Sequence, residues 1–290
     1  MTSVRVLLTS LASLALMTLA VPKAMADLGD DKYQPTMGQA GKDVIWIPTP
    51  DEMVTAMLNA AGVTSKDLVY DLGAGDGKIA IAAARQFGAR AVGIEYEANM
   101  ASLAQRNALR SGVGEKVRII QGDIFKEDFS KATVVTMYLL PELNMRLKPI
   151  LKKMPPGTRV VSHSFDMQTW EPDQRIETSA ASGYLWIVPA QVEGTWSIQL
   201  PGYKQPASLA LRQTHQMLTG RLTLDGQTVP IDSARMRGAD MSFQVTMKSG
   251  QVLMFDGRVD GDRLSGRMQP VVKPTLISGS RTSKKPASGQ

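Results

Sequence analysis

Three glycines at alternate positions, Gly73, Gly75 and Gly77, follow Asp71 at the end of the apolar run Leu68, Val69, Tyr70. Ile79 to Arg85 behind them is alanine-rich and reads as a helix. A strand that turns through bare backbone into a helix lets a ligand lie against main-chain amides, because no Cβ intervenes. The spacing also separates cofactor classes. A dinucleotide turn of the form Gly-x-Gly-x-x-Gly needs its third glycine at position 78, where this chain has Lys78. That disfavours a nicotinamide oxidoreductase.

Two further carboxylates fall in register with the turn. Ala91 to Glu95 is a second short apolar strand, and Glu95 closes it about twenty residues past the glycines, where doubly wound folds bind ribose. A carboxylate accepts two hydrogen bonds from a vicinal diol, so the residue type suits the task. A helix from Ala98 to Arg110 leads to a third strand, Val117 to Gln121, and then to Asp123 and Ile124. The fourth strand, Ala132 to Tyr138, runs directly into Leu139, Leu140 and Pro141. Ligands of open α/β sheets sit at the carboxyl ends of strands, which places Tyr138 where an acceptor would meet the cofactor.

Asp71 with Gly-x-Gly-x-Gly after it resembles the first motif of class I S-adenosylmethionine-dependent methyltransferases. The run Thr133 to Pro141, with Ile47 to Pro50 upstream and Gly157 to His163 downstream, is similar to the protein-lysine methyltransferases that act on the ATP synthase c-subunit and the adenine nucleotide carrier, and to their prokaryotic relatives. The resemblance covers roughly residues 44 to 190. It implies an α/β fold, Rossmann-like, with a mostly parallel seven-stranded sheet, and S-adenosyl-L-methionine as cofactor. Asp71, Gly73, Ala74 and Gly75 would form the methionine-side wall, and Glu95 would hold the ribose. Asp123 would face the adenine amino group, with Ile124 or Phe125 packed on the ring. Thr49 and Pro50 would be pocket wall, and Tyr138, Leu139 and Pro141 would border the acceptor.

Physical chemistry agrees with an amine acceptor. A lysine amine, with an ordinary pKa of about 10.4, must be neutral to attack. An apolar, aromatic slot lowers that value and tolerates the cationic product. The expected reaction is methyl transfer to a protein lysine. The alternatives are a small-molecule N- or O-methyltransferase, or a non-catalytic exported binding protein whose β domain is the working part.

Elements on either side of the turn complete this half. Thr49 reads as a helix N-cap and Pro50 as the first helical residue, with Asp51 and Glu52 in the first turn. Met53, Val54, Met57, Leu58 and Ala61 form one apolar face, and Gly62 ends the helix. His163, at the end of the fifth strand, reads as a hydrogen-bonded structural residue rather than one that approaches the substrate side, the alternative for that position.

Past Pro189 the character changes. Gly194 to Ile198, Ser208 to Gln213, Met217 to Leu224, Arg235 to Met247, Val252 to Val259 and Arg263 to Met268 are β-rich segments punctuated by glycines. Such spacing indicates a small antiparallel domain, barrel or sandwich, over residues 192–273. Residues 274–290 read as a disordered basic tail, 44–191 as the methyltransferase domain and 27–43 as a linker. Residues 1–26 read as an export signal: Arg5, an apolar run from Val6 to Val21, and a small-x-small site at Ala24 to Ala26. The chain is therefore expected to be exported, periplasmic if bacterial, or anchored by that segment. With no cysteine and two histidines, thiolate and histidine metal sites are not expected. The net charge of +6 lies partly in the tail, and no helix interleaves basic and aromatic residues, so nucleic acid is not an expected partner.

Overall fold

The computed structural model describes residues 33–41, 43, 45–200, 202–269 and 275–285. The expected export signal lies outside these residues, as do the last five positions of the expected tail. Among the described residues no helix is long and apolar enough to cross a membrane.

The first layer is a seven-stranded sheet built from β1 (Leu68–Leu72), β2 (Arg90–Glu95), β3 (Val117–Gln121), β4 (Val134–Met137), β5 (Arg159–His163), β6 (Gln174–Glu177) and β7 (Ser182–Ile187). Their order is β3-β2-β1-β4-β5-β7-β6, parallel except for β7, which runs antiparallel to both neighbours. The chain leaves β1 towards β2 on one side and returns to β4 on the other. That reversal opens a crevice at the carboxyl ends of β1 and β4. β4 is buried at every position, as expected for a parallel strand covered on both faces.

Helices α1 (Asp51–Ala60), α2 (Lys78–Phe87), α3 (Ala98–Arg110) and α4 (Pro141–Leu151) flank the sheet. Met53, Val54, Met57 and Leu58 of α1 pack with Ile79, Ala80 and Ala83 of α2 over one face of the sheet. Leu143, Leu147 and Leu151 of α4 and Trp170 pack on the other face, against Trp186 of β7. Gly88, at φ +71°, closes α2 as a left-handed C-cap, a conformation that glycine adopts without Cβ strain.

The second half is a closed barrel. It comprises β8 (Gly194–Gln199), β9 (Ala207–Thr214), β10 (Met217–Leu224), β12 (Asp232–Arg237), β13 (Asp240–Thr246), β14 (Val252–Asp260), β15 (Arg263–Gln269) and β16 (Thr275–Ser283), with the short β11 (Gln227–Pro230) paired on β10. Closure follows from two seams, β16 on β8 and β9 on β10. Alternation along the strands directs Trp196, Leu211, Leu222, Phe243, Phe255 and Met268 inward, each at most 3% exposed. A ligand-holding lumen would leave such residues accessible; this interior is packed.

Two sequence expectations need correction here. Arg235 to Met247 is not one segment: it breaks at Gly238 and Ala239 into β12 and β13, and Gly238 has φ +62°. A glycine at the first central position of a two-residue hairpin permits that reversal. Within the expected disordered tail, residues 275–283 form β16. Only Ile277 of that strand enters the barrel core, so its serine-rich composition hides an element fixed by partners on both sides.

Arg281 pins this strand. Its guanidinium pairs with Asp262, lies 4.7 Å from the centroid of the Trp196 ring, and donates to the carbonyls of Gln191, Glu193 and Gly261. Arg281→Ala leaves those carbonyls unmatched and should lower unfolding stability by about 2–4 kcal/mol. Urea unfolding followed by tryptophan fluorescence measures this; a loss under about 0.5 kcal/mol would mean that β16 closes the barrel without it.

Candidate active site

The crevice at the switch point is a cleft of about 240 Å³, somewhat below the ~300 Å³ at which small-molecule sites usually begin. Its floor is the glycine turn. Gly73 and Gly75 have φ of +78° and +55°, and a Cβ on Gly73 would stand 2.9 Å from Leu139 Cδ2. On Gly75 it would stand 2.7 Å from Trp46 Nε1, so that indole crowds the cleft from the entry segment. Neither position has room for a side chain.

Eleven of the thirteen residues expected from sequence line this cleft: Thr49, Asp71, Gly73, Ala74, Gly75, Glu95, Asp123, Ile124, Phe125, Tyr138 and Leu139. Pro50 and Pro141 do not; they stand at the starts of α1 and α4 and serve those helices. The β1, β2 and β3 ends deliver the acids in the order anticipated, and the β4 end delivers Tyr138.

Glu95 is held by the backbone around it. Its Oε2 accepts from the Gly75 amide and its Oε1 from the Glu97 amide, both at 2.9 Å. Burial raises its pKa, against the opposing amides of Glu97 and Gly75. Glu97 in turn caps α3 by accepting from the amides of Asn99 and Met100. Asp123 Oδ1 accepts from the Phe125 amide at 3.0 Å, which directs the carboxylate while Ile124 and Phe125 line the wall beside it.

Asp71 is buried at the base. Its Oδ1 accepts from Thr136 Oγ1 of β4 at 2.7 Å. Burial pushes its carboxyl up to about 7; the Thr136 hydrogen bond opposes the shift, and Asp76 and Glu95 add to it. In the unfolded chain the group releases its proton near the ordinary carboxylate value of about 3.9. Between these values the folded state binds more protons. The stability Asp71 contributes is therefore whole below about pH 4 and is lost as pH rises through about 7. Asp71→Asn, which can still accept from Thr136, should remove that dependence. The melting temperature of the parent minus that of the variant should fall between about pH 4.5 and about pH 7.5; a flat difference would mean that folded Asp71 is ionised throughout.

The side of the cleft at the end of β4 is aromatic. The Tyr138 ring stands 3.9 Å from the His163 ring and 6.3 Å from Phe165, with Leu140 and Leu143 beside it on the wall. His163 is buried behind Tyr138 and bonds through Nδ1 to Thr49 Oγ1 at 3.1 Å. Burial pushes its pKa down to about 4, so the imidazole is neutral. This corrects the capping role expected of Thr49. Pro50 occupies the N-cap of α1, and the threonine hydroxyl is spent on a histidine 114 residues away.

Several site residues carry no local sequence signal. Trp46, Ile45 and residues 39–41 line the cleft from the stretch around the expected linker, folded back by an Ala40–Ile45 bridge. Lys78 does more than exclude a dinucleotide turn. Its Nζ donates to the Thr49 carbonyl at 3.0 Å and pairs with Asp51 at 3.1 Å, tying α2 to the entry of α1. Phe165 is equally silent in sequence, because only the return of β5 carries it to the cleft. Among the described residues, no group of three His, Asp or Glu is placed to hold a metal ion.

Comparison with known proteins bears on these features. A family model, the ANTKMT methyltransferase domain, matches residues 71–174. The protein-lysine N-methyltransferase of Saccharolobus islandicus (strain REY15A) is 46% identical over 151 residues, 50% of this chain and 94% of that relative. The ATP synthase c-subunit lysine N-methyltransferase of Xenopus laevis is 28% identical over 143 residues, 49% of this chain and 58% of that relative. Among solved structures, an RNA methyltransferase from Salinibacter ruber in complex with S-adenosyl-L-homocysteine is 48% identical, with a TM-score of 0.49, covering 50% of this chain and 96% of that one.

Proposed function

Since the chain belongs to the S-adenosylmethionine-dependent methyltransferase family of its Saccharolobus islandicus relative, we propose that it methylates the side-chain amine of a protein lysine. S-adenosyl-L-methionine supplies a methyl group activated by its sulfonium. The cleft residues fit such a group: a glycine turn at Gly73 and Gly75 closely overlain by Leu139 and Trp46, a carboxylate for the ribose at Glu95, and acids at Asp71 and Asp123 that line the same cleft. The observation that carries the lysine reading is the aromatic slot at the end of β4, where Tyr138 and Phe165 wall the cleft. Such walls strip water from an incoming ammonium and favour its neutral, nucleophilic form. They also accept the alkylated cation against their ring faces. Tyr138 and Leu139 would align the amine; the relatives' protein-lysine substrates support the same reading.

Incubating the full chain with radiolabelled cofactor and a cell-envelope extract tests this. The expected result is label in protein bands, recovered as methyl-lysine after hydrolysis and lost when lysines are blocked beforehand. Label confined to small molecules or to RNA would refute the lysine acceptor.

A further inference from the structure

Phe165 belongs to a loop that the barrel helps to hold. Residues 164–171 leave the end of β5, pass the cleft and descend to the barrel. Two non-glycine residues in this loop, Ser164 and Gln168, have φ of +63° and +51°. Backbone in that region is costly and persists where the surroundings over-determine it. On the catalytic side, Asn144 Nδ2 donates to the carbonyls of Phe165 and Asp166 at 3.1 and 3.3 Å. Lys148 Nζ donates to the Met167 carbonyl at 3.0 Å.

The far end is fixed from the other domain. Gln216, in the turn between β9 and β10, is 3% exposed. Its Oε1 accepts from Trp170 Nε1 at 3.1 Å, and its Nε2 donates to the Glu171 carbonyl at 2.7 Å. One amide thus spends its acceptor and a donor on two successive loop residues. The neighbouring His215 ring stacks on Trp170 with centroids 5.6 Å apart. A buried amide matched at both ends fixes one arrangement of the groups it joins.

We propose that the barrel serves methyl transfer by clamping the acceptor wall, with Gln216 as the positioning residue that fixes Phe165 through Trp170. This rests on the reading that the acceptor passes Tyr138 and Phe165. The glycine turn and Glu95 lie on the other side of the sheet's switch point and do not depend on this grip. Loosening it should therefore impair transfer while leaving cofactor binding intact.

The test uses the full chain with Gln216→Met, Trp170→Phe and the double variant. Trp170→Phe retains an aromatic ring but loses the Nε1 donor. Three quantities are read: amide hydrogen exchange of residues 164–171, S-adenosylhomocysteine affinity, and the rate of label transfer from saturating cofactor to proteins of the envelope extract. We expect exchange in the loop to accelerate and transfer to fall, each by about tenfold, with affinity within about twofold of the parent. Because both substitutions break the Trp170–Gln216 hydrogen bond, the double variant should fall short of the sum of the two single effects. Unchanged transfer alongside a lowered melting temperature would reduce Gln216 to a structural contact and overturn the proposal, as would a parallel loss of cofactor affinity. Should the parent itself label no protein, the lysine reading fails on its own. Loop exchange then still decides: acceleration upholds the clamp and unchanged exchange overturns it.

Discussion

Replacing Glu95 by alanine is expected to weaken S-adenosylhomocysteine binding by at least about 100-fold, in a protein that remains folded. Two effects combine. The carboxylate holds the amides of Gly75 and Glu97 in place, so its removal loosens the glycine turn on which the nucleoside would lie. It also keeps acceptor capacity for a vicinal diol, and hydrogen bonds to a charged group contribute roughly 1.5–3 kcal/mol each. Together these amount to about 3 kcal/mol or more, which corresponds to the stated fold-change. The fold should survive because Glu95 is only half-buried at the end of its strand, while Ile94 carries the core contact. Calorimetric titration of parent and variant decides it. Affinity retained within about fivefold would remove Glu95 from the cofactor site.

Tyr138→Ala should have the opposite signature: transfer slowed by about 100-fold, with S-adenosylhomocysteine affinity nearly unchanged. The ring is the central element of the proposed acceptor wall, backed by neutral His163 and flanked by Phe165. Without it the amine loses both its alignment and a surface that excludes water. Tyr138→Phe keeps the wall and isolates the hydroxyl. Single-turnover transfer at saturating cofactor is the measurement, and an alanine variant as fast as the parent would move the acceptor path elsewhere.

The parts of the site that were legible in sequence are local. Asp71, Glu95 and Asp123 each terminate or follow a short apolar run, so their place at strand ends follows from run length, and the glycine turn is read from spacing alone. What escaped depends on distant partners. Thr49 has the residue type of a cap, yet His163, brought over by β5, competes successfully for its hydroxyl. Trp46 lies in a segment without periodicity, and only the Ala40–Ile45 bridge turns it onto Gly75. The barrel's number of strands was obscured for the same reason. β16 contributes one core side chain, and its order comes from β8 and β15 rather than from its own composition.

The seam between β8 and β16 has a kinetic consequence. It joins residues that are 79 to 88 positions apart, from Gln199 with Ser278 to Thr195 with Ser283, so the ring cannot shut until almost the whole domain has been synthesised. The nucleotide-binding half, whose parallel strands all precede residue 190, can reach its own core earlier. Non-local pairing of this kind is slow and leaves edges exposed meanwhile. The loop that carries Phe165, gripped from a turn in that late-forming ring, would acquire its final shape last, so competence for catalysis should lag behind the capacity to bind nucleoside during refolding.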